Sequence, residues 1–218
     1  MAETCALTQT ASKELKEGEW RPISLTHVQY PEGDLLGQFL AYCSLFPLAI
    51  FCCLCTLAGS RRDLHTICLL VGMLSNEAVN YLLKHWLQER RPCTEVNHTF
   101  HTEYGLPSNH AQFIWFFCMY SLLFLYMRLR VTGRPLWRLL LVVVLLLIAV
   151  SVSYSRVYLL YHTSRQVCCG IMVGVGMAVA WFAFTQLILT PLFPCISAWW
   201  VLTGLPSVAC THHITTGI

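Results

Sequence analysis

Five apolar runs divide the chain, and short polar segments separate them. As helices rising about 1.5 Å per residue, all five are long enough to cross or nearly cross about 30 Å of hydrocarbon. The runs cover residues 35–58, 64–87, 110–130, 136–153 and 166–189. This pattern predicts an all-α, polytopic integral membrane bundle with about four to six transmembrane or membrane-embedded helices.

The two polar ends of the chain set the limits of the membrane domain. Residues 1–34 are polar and mixed, without the basic start and early apolar core of a cleavable signal peptide. Aromatic and polar residues alternate irregularly over 20–30, which is typical of an element at the membrane interface. We predict an N-terminal interfacial segment at 1–34, a membrane domain at 35–194 and a divergent C-terminal tail at 195–218.

The second apolar run carries polar residues in its second half. Asn76, Glu77 and Asn80 fall on one helical stripe, together with Met73 and Lys84. Polar groups at membrane depth are costly in contact with lipid. The stripe is therefore expected to face the interior of the bundle.

Proline and glycine positions predict details of helix shape and packing. Pro47 lies inside the first run and is expected to kink it. Gly170, Gly174 and Gly176 are small positions at which a neighbouring helix can approach closely. Pro191 and Pro194 are expected to end the fifth run.

Composition narrows the class of protein. The chain has 218 residues, of which 56% are hydrophobic and 11% charged, and this excludes a soluble domain of that size. A net charge of +3 is too small to indicate a nucleic-acid partner. Most of the twelve cysteines lie within apolar runs, without zinc-type spacing, so we predict neither a disulfide framework nor a metal site.

Alternating crossings define two sides of the membrane. The N-terminus, the 88–107 loop and the 154–165 turn fall on one side, and the 61–63 and 128–138 turns fall on the other. The second side carries a group of arginines, which the positive-inside rule places in the cytosol: Arg61, Arg62, Arg128, Arg130, Arg134 and Arg138. The first side is then luminal, in agreement with an N-glycosylation sequon at Asn97.

Basic residues and histidines from separate parts of the chain gather on the luminal side: Lys84, Arg91, His110, Arg156 and His162. Three cations without matching carboxylates favour an anionic ligand, and arginine forks suit phosphate oxygens. Ser108 and the amides that open the third helix add donors. Two histidines supply what phosphate-ester cleavage needs, namely a nucleophile and a proton donor for the leaving oxygen.

Three motifs carry a resemblance to the PAP2 (type 2 phosphatidic acid phosphatase) family: Lys84-x6-Arg91-Pro92, Pro107-Ser108-Asn109-His110 and Ser155-Arg156-x5-His162. The resemblance implies a nucleophilic His162 that forms a phosphohistidine and a general acid at His110. It implies no metal or other cofactor. It also implies a set of phosphate ligands: Lys84, Arg91, Ser108, Arg156 and the backbone of Asn109.

The chain departs from that family pattern at two positions. Asn109 replaces a glycine, and Gln166 replaces the aspartate that orients the nucleophile. Gln166 lies four residues after His162 on the same helix side, so its amide can still accept a hydrogen bond from the ring. It provides no charge, and Glu77 or Glu103 is a candidate for supplying one.

A longer similarity, over about residues 20–194, resembles the dolichyldiphosphatase subfamily, which also carries glutamine at this place. It includes NEAVNYLLKHWLQERRPC, YGLPSNHAQFIWFF and VSYSRVYLLYHT. This resemblance implies hydrolysis of dolichyl diphosphate to dolichyl phosphate and inorganic phosphate. It places the reaction at the luminal face of the endoplasmic reticulum, where it recycles the carrier of protein N-glycosylation. The expected partners are this lipid substrate and membrane lipids, without nucleic acid or an obligate protein partner.

Two alternatives stay open on the residues alone. Phosphate contacts read charge and not the lipid tail, so phosphatidate or a sphingoid phosphate is an alternative substrate. A non-catalytic binder or transporter of lipid phosphates would use the same cations. Such a binder needs neither a nucleophile at His162 nor an acid at His110.

Overall fold

The computed structural model describes residues 20–22, 29–31, 33–91, 104–128 and 135–194. Within these ranges, five helical spans are long and apolar enough to cross a membrane. They are Leu35–Arg61, Leu64–Leu87, Asn109–Met127, Leu136–Tyr158 and Ser164–Pro194. The prediction of an all-α, multi-pass membrane bundle is confirmed. The sequon at Asn97, Glu103 and the tail at 195–218 lie outside the described residues.

In the described ranges, a two-stranded antiparallel sheet is followed by six helices. The strands are β1, Trp20–Pro22, and β2, Gln29–Pro31. The helices are α1, Leu35–Cys43; α2, Phe46–Arg61; α3, Leu64–Leu87; α4, Asn109–Arg128; α5, Pro135–Tyr158; and α6, Ser164–Phe184. A π-helical turn, Thr185–Leu189, continues α6.

The first span is broken, and the break is not the expected kink inside one helix at Pro47. Helix α1 ends at Cys43, and the Ser44 hydroxyl donates to the Ala41 carbonyl at 2.7 Å. Helix α2 then begins at Phe46, so Pro47 lies in its first turn. The missing N–H of proline is harmless there, because the first helical N–H groups have no partner within the helix.

The fifth span does not end at Pro191 but continues to Pro194, the second of the two prolines expected to end it. The Thr190 N–H bonds the Thr185 carbonyl, which is the five-residue spacing of a π-turn. The Thr190 hydroxyl donates to the same carbonyl at 2.9 Å. The wider turn just before Pro191 shifts the hydrogen-bond register at the position where the proline enters the helix.

The polar stripe of α3 faces the bundle interior, as predicted, with Asn76 and Asn80 buried beside Met73. Their partner is Gln112 of α4. Its Nε2 donates to the backbone and side-chain oxygens of Asn76, both at 2.9 Å. Its Oε1 accepts from Asn80 Nδ2 at 2.7 Å. This buried polar layer ties α3 to α4 at membrane depth.

Helix α6 packs closely against α4 through two of the three predicted glycines. A Cβ on Gly170 would lie 2.7 Å from the Ser108 carbonyl oxygen, and one on Gly174 would strike the Gln112 carbonyl. The prediction for Gly176 is wrong, because a Cβ there would meet nothing within 4 Å. The two close approaches fix the start of α4 against the start of α6.

Candidate active site

Four helix ends meet at one end of the bundle and carry the predicted residues. Lys84 and Arg156 lie on the last turns of α3 and α5. His110 lies on the first turn of α4, while Arg91 and His162 follow α3 and α5 in the connecting segments. Alternating helix directions thus bring two C-terminal and two N-terminal ends together.

A tight turn joins Arg156 to His162 and is shorter than the predicted 154–165 turn, because α5 continues to Tyr158. Leu160 has a φ of 59°, in the left-handed region that commonly ends helices. The Tyr161 and His162 N–H groups both donate to the Arg156 carbonyl, at 3.0 and 3.1 Å. Leucine at this left-handed position gives no sequence signal for a helix end, since glycine is the usual residue there.

The Arg156 side chain is suited to binding an anion. It is only 4% exposed, and its guanidinium lies over the Tyr161 ring with 4.1 Å between Cζ and the ring centroid. Within the described ranges, its Nε and Nη1 have no hydrogen-bond partner. Buried guanidinium groups normally have all their N–H groups paired, and phosphoryl oxygens are suitable acceptors for these two.

The His162 ring is 4% exposed, and its Nδ1 edge contacts the Gln166 side chain. Its Nδ1 lies 3.2 Å from Gln166 Oε1, the contact that the four-residue spacing predicts. Burial lowers the pKa of His162 well below its ordinary value, and the nearby charges of Arg156 and Arg91 lower it further. The ring is therefore neutral at neutral pH, as a nucleophile must be.

Gln166 links all three motifs. Its Nε2 donates to Glu89 Oε1 at 3.2 Å and to the Arg90 carbonyl at 3.0 Å, just before Arg91. The backbone carbonyl of Gln166 accepts a hydrogen bond from the Ser108 N–H at 3.1 Å. Glu89 was not among the site residues predicted from the sequence, although it is a carboxylate two positions before Arg91 in a basic segment.

The remaining predicted residues lie in the same group. The His110 ring lies within electrostatic reach of Arg156, His162, Lys84 and Arg91. Ser108 is fully buried, and its hydroxyl has no hydrogen-bond partner among the residues that the structure describes. It opens α4, where backbone N–H groups favour anions.

Glu77 and Asn109 interact with each other. Glu77 also lies within the electrostatic reach of Lys84. The carboxylate that hydrogen-bonds Gln166 is Glu89 and not Glu77. The expected contact between the Asn109 backbone and phosphate stays a prediction. In the described part of the chain, no three His, Cys, Asp or Glu side chains form a group that could hold a metal ion.

Comparison with known proteins identifies the family. The model of the PAP2 superfamily matches residues 65–190, more than half of the chain. The chain belongs to the PAP2 superfamily. The matched region contains all three motifs and both histidines.

Curated relatives and one solved structure agree with this assignment. Dolichyldiphosphatase 1 of Rhinolophus ferrumequinum is 55% identical over 185 residues, and that of Homo sapiens 53% over 185. Each alignment covers 83% of this chain and 78% of the relative. The crystal structure of a transmembrane PAP2-type phosphatidylglycerolphosphate phosphatase from Bacillus subtilis superposes with a TM-score of 0.58 at 19% identity. It covers 70% of this chain and 78% of that one, and shows the shared fold.

Proposed function

We propose that this protein is a metal-independent lipid diphosphate phosphatase that hydrolyses dolichyl diphosphate to dolichyl phosphate and inorganic phosphate. The observation that carries the proposal is the turn that joins Arg156 to His162. It places a buried arginine with unpaired N–H groups next to a buried, neutral histidine. The similarity to proteins named Dolichyldiphosphatase 1 supports the choice of substrate.

The reaction begins with attack of His162 Nε2 on the terminal phosphorus. The bond from this phosphorus to the bridging oxygen breaks, His110 gives its proton to that oxygen, and dolichyl phosphate leaves. The phosphohistidine on His162 is then attacked by water, whose proton passes to His110. Inorganic phosphate departs, and both histidines return to their starting states.

Cations and donors around the terminal phosphoryl group stabilise its charge as the bridging bond breaks. Arg156 offers the unpaired N–H groups of Nε and Nη1, and Lys84 and Arg91 add positive charge. The Ser108 hydroxyl and the first N–H groups of α4 supply neutral donors. A site built in this way needs no metal ion to bind the terminal phosphate.

The site end of the bundle is proposed to face the lumen of the endoplasmic reticulum, where the product lipid is recycled for protein N-glycosylation. The support is the arginine pair at the opposite end, Arg61 and Arg62, which the positive-inside rule places in the cytosol. In microsomes, an endoglycosidase-sensitive mass shift abolished by Asn97→Gln is expected. Modification of a sequon introduced at 59–62, and not of Asn97, would contradict this orientation.

A substrate panel on purified protein in chelator tests the function. Phosphate release from dolichyl diphosphate is expected to exceed release from phosphatidate or a sphingoid phosphate. His162→Ala abolishes release, while His85→Ala at an exposed position of α3 keeps it within about twofold. Faster release from phosphatidate would reassign the substrate. Binding without turnover would favour the non-catalytic binder, and loss of activity in chelator would overturn the metal-independent mechanism.

A further inference from the structure

The contacts of the Gln166 side chain fix which way its amide points. Glu89 Oε1 and the Arg90 carbonyl can only accept hydrogen bonds, and they lie 3.2 and 3.0 Å from Nε2. The Thr163 N–H can only donate, and it lies 3.3 Å from Oε1. Reversing the amide would break all three contacts, so the oxygen faces His162.

The amide orientation in turn selects the tautomer of His162. An oxygen 3.2 Å from Nδ1 is an acceptor, so Nδ1 carries the hydrogen. The lone pair of the neutral ring is then on Nε2, the atom that attacks phosphorus. With the amide reversed, Nδ1 would face a donor, and the proton would move to Nε2.

We propose that Glu89 is a positioning residue that acts on His162 through Gln166. It holds the amide oxygen toward Nδ1, and its negative charge polarises the amide so that this oxygen is a stronger acceptor. As Nε2 bonds phosphorus, the ring becomes positively charged, and the relay stabilises that charge. The inference rests on the proposed role of His162 as nucleophile.

The surroundings of Glu89 show that it is more than a surface charge. Its side chain is 23% exposed, and its backbone carbonyl accepts from the Gly105 N–H at 2.7 Å. A Cβ on Gly105 would lie 2.8 Å from both atoms of the Gln166 amide, so the glycine leaves room for the Glu89–Gln166 contact. The ion pair of Glu89 with Arg165 is 3.7 Å long, and Arg165 is 75% exposed, so this pair contributes little.

The relay also accounts for glutamine at position 166. An aspartate at this position would bring its own carboxylate next to Nδ1 of His162. Glutamine instead brings a neutral amide, whose other end is hydrogen-bonded to the carboxylate of Glu89. The charge is retained but moved to the segment before Arg91. Three parts of the chain must therefore be in place before His162 is activated.

Kinetics of charge-removing variants test the proposal. Glu89→Gln keeps the shape but removes the charge, and it is expected to lower kcat about tenfold to a hundredfold, the usual effect of losing an outer hydrogen-bond partner. KM should change less than about threefold, since Glu89 is not among the proposed phosphate ligands. Arg165→Gln, which removes only the exposed ion pair, keeps kcat within about twofold.

A double-mutant cycle separates this relay from general destabilisation. In a Gln166→Ala background, Glu89→Gln should cause no further loss, because the link to His162 is already missing. An unchanged kcat in Glu89→Gln, or an equal loss in both backgrounds, would overturn the proposal. Thermal midpoints in detergent show whether each variant is folded.

Nitrogen-15 NMR of histidine-labelled protein gives a readout that does not depend on turnover. Wild-type His162 is expected in the Nδ1–H form, and Glu89→Ala should shift it toward a mixture of tautomers. Unchanged tautomer populations would overturn the positioning role. An inactive wild type with the Nδ1–H form intact would count against the proposed function and leave the positioning role standing.

Discussion

The backbone carbonyl of Arg156 accepts a hydrogen bond from the N–H of His162 at 3.1 Å. A residue proposed to bind phosphate and the residue proposed to attack it are therefore fixed to each other by the main chain. The left-handed conformation of Leu160 lets the chain close this turn. Any change in Arg156 can then be examined for its side-chain chemistry alone, because the link is made by backbone atoms.

Arg156→Lys tests the guanidinium fork. Lysine keeps the positive charge but loses the planar set of N–H groups that suits phosphate oxygens. The expected loss in kcat/KM is about 10- to 100-fold, which corresponds to about 1.5–3 kcal/mol for a charge-assisted hydrogen bond. Arg165→Lys, at a position that is 75% exposed, is the matched control and should be close to wild type. Equal effects of the two substitutions would argue against a special role for Arg156.

His110→Ala tests the general acid through the leaving group. Removal of a general acid costs about 100- to 10,000-fold when the departing oxygen needs a proton. The rate constant of the first turnover should fall by that factor with dolichyl diphosphate. With 2,4-dinitrophenyl phosphate, whose leaving oxygen needs no proton, this rate constant should fall much less. The same loss with both substrates would assign His110 to binding.

Gly174→Ala tests the close contact between α6 and α4. The added Cβ meets the Gln112 carbonyl, and overpacking of this kind costs about 1–3 kcal/mol. Gly176→Ala adds the same atom two residues away in open space, where alanine favours the helix by about 1 kcal/mol. Thermal midpoints in detergent should therefore fall for the first variant and stay equal or rise for the second. A matching fall in both would show that the contact is unimportant.

The pH dependence of kcat/KM tests the charge environment of His162. Burial and the cations Arg156, Arg91 and Lys84 lower its pKa, so the neutral ring persists as pH falls and charges only below the ordinary range, about 6.5. Activity should be lost on the acid side as pH falls through this lowered value. Lys84→Gln removes one cation, so the pKa of His162 should rise.

The acid limb of the Lys84→Gln profile is accordingly expected at higher pH than that of the wild type. Ionisation of the substrate is the same for both proteins and cannot cause a difference between them. Profiles that differ only in height would show that Lys84 does not influence the ionisation of His162.

The sequence by itself determined the features that depend on local pattern. Twenty or so apolar residues in a row have few alternatives to a membrane helix, so the five spans were predictable. The polar stripe of α3 was predictable because helical spacing places Asn76 and Asn80 on one face. The spacing of His162 and Gln166 also predicted their contact, but His162 lies just before α6 and not on it. The contact forms because Gln166, in the first turn of α6, folds back toward the residues that precede the helix.

Only the tertiary structure decided the contacts between distant segments. Glu89 lies 77 residues before Gln166, and no periodicity predicts that their side chains meet at 3.2 Å. Gly174 and Gly176 look equivalent in the sequence, but only Gly174 faces Gln112. Helical repeat fixes which face a residue occupies, whereas the neighbour of that face is decided by how all the helices pack. The charge missing at Gln166 is for this reason found on another segment.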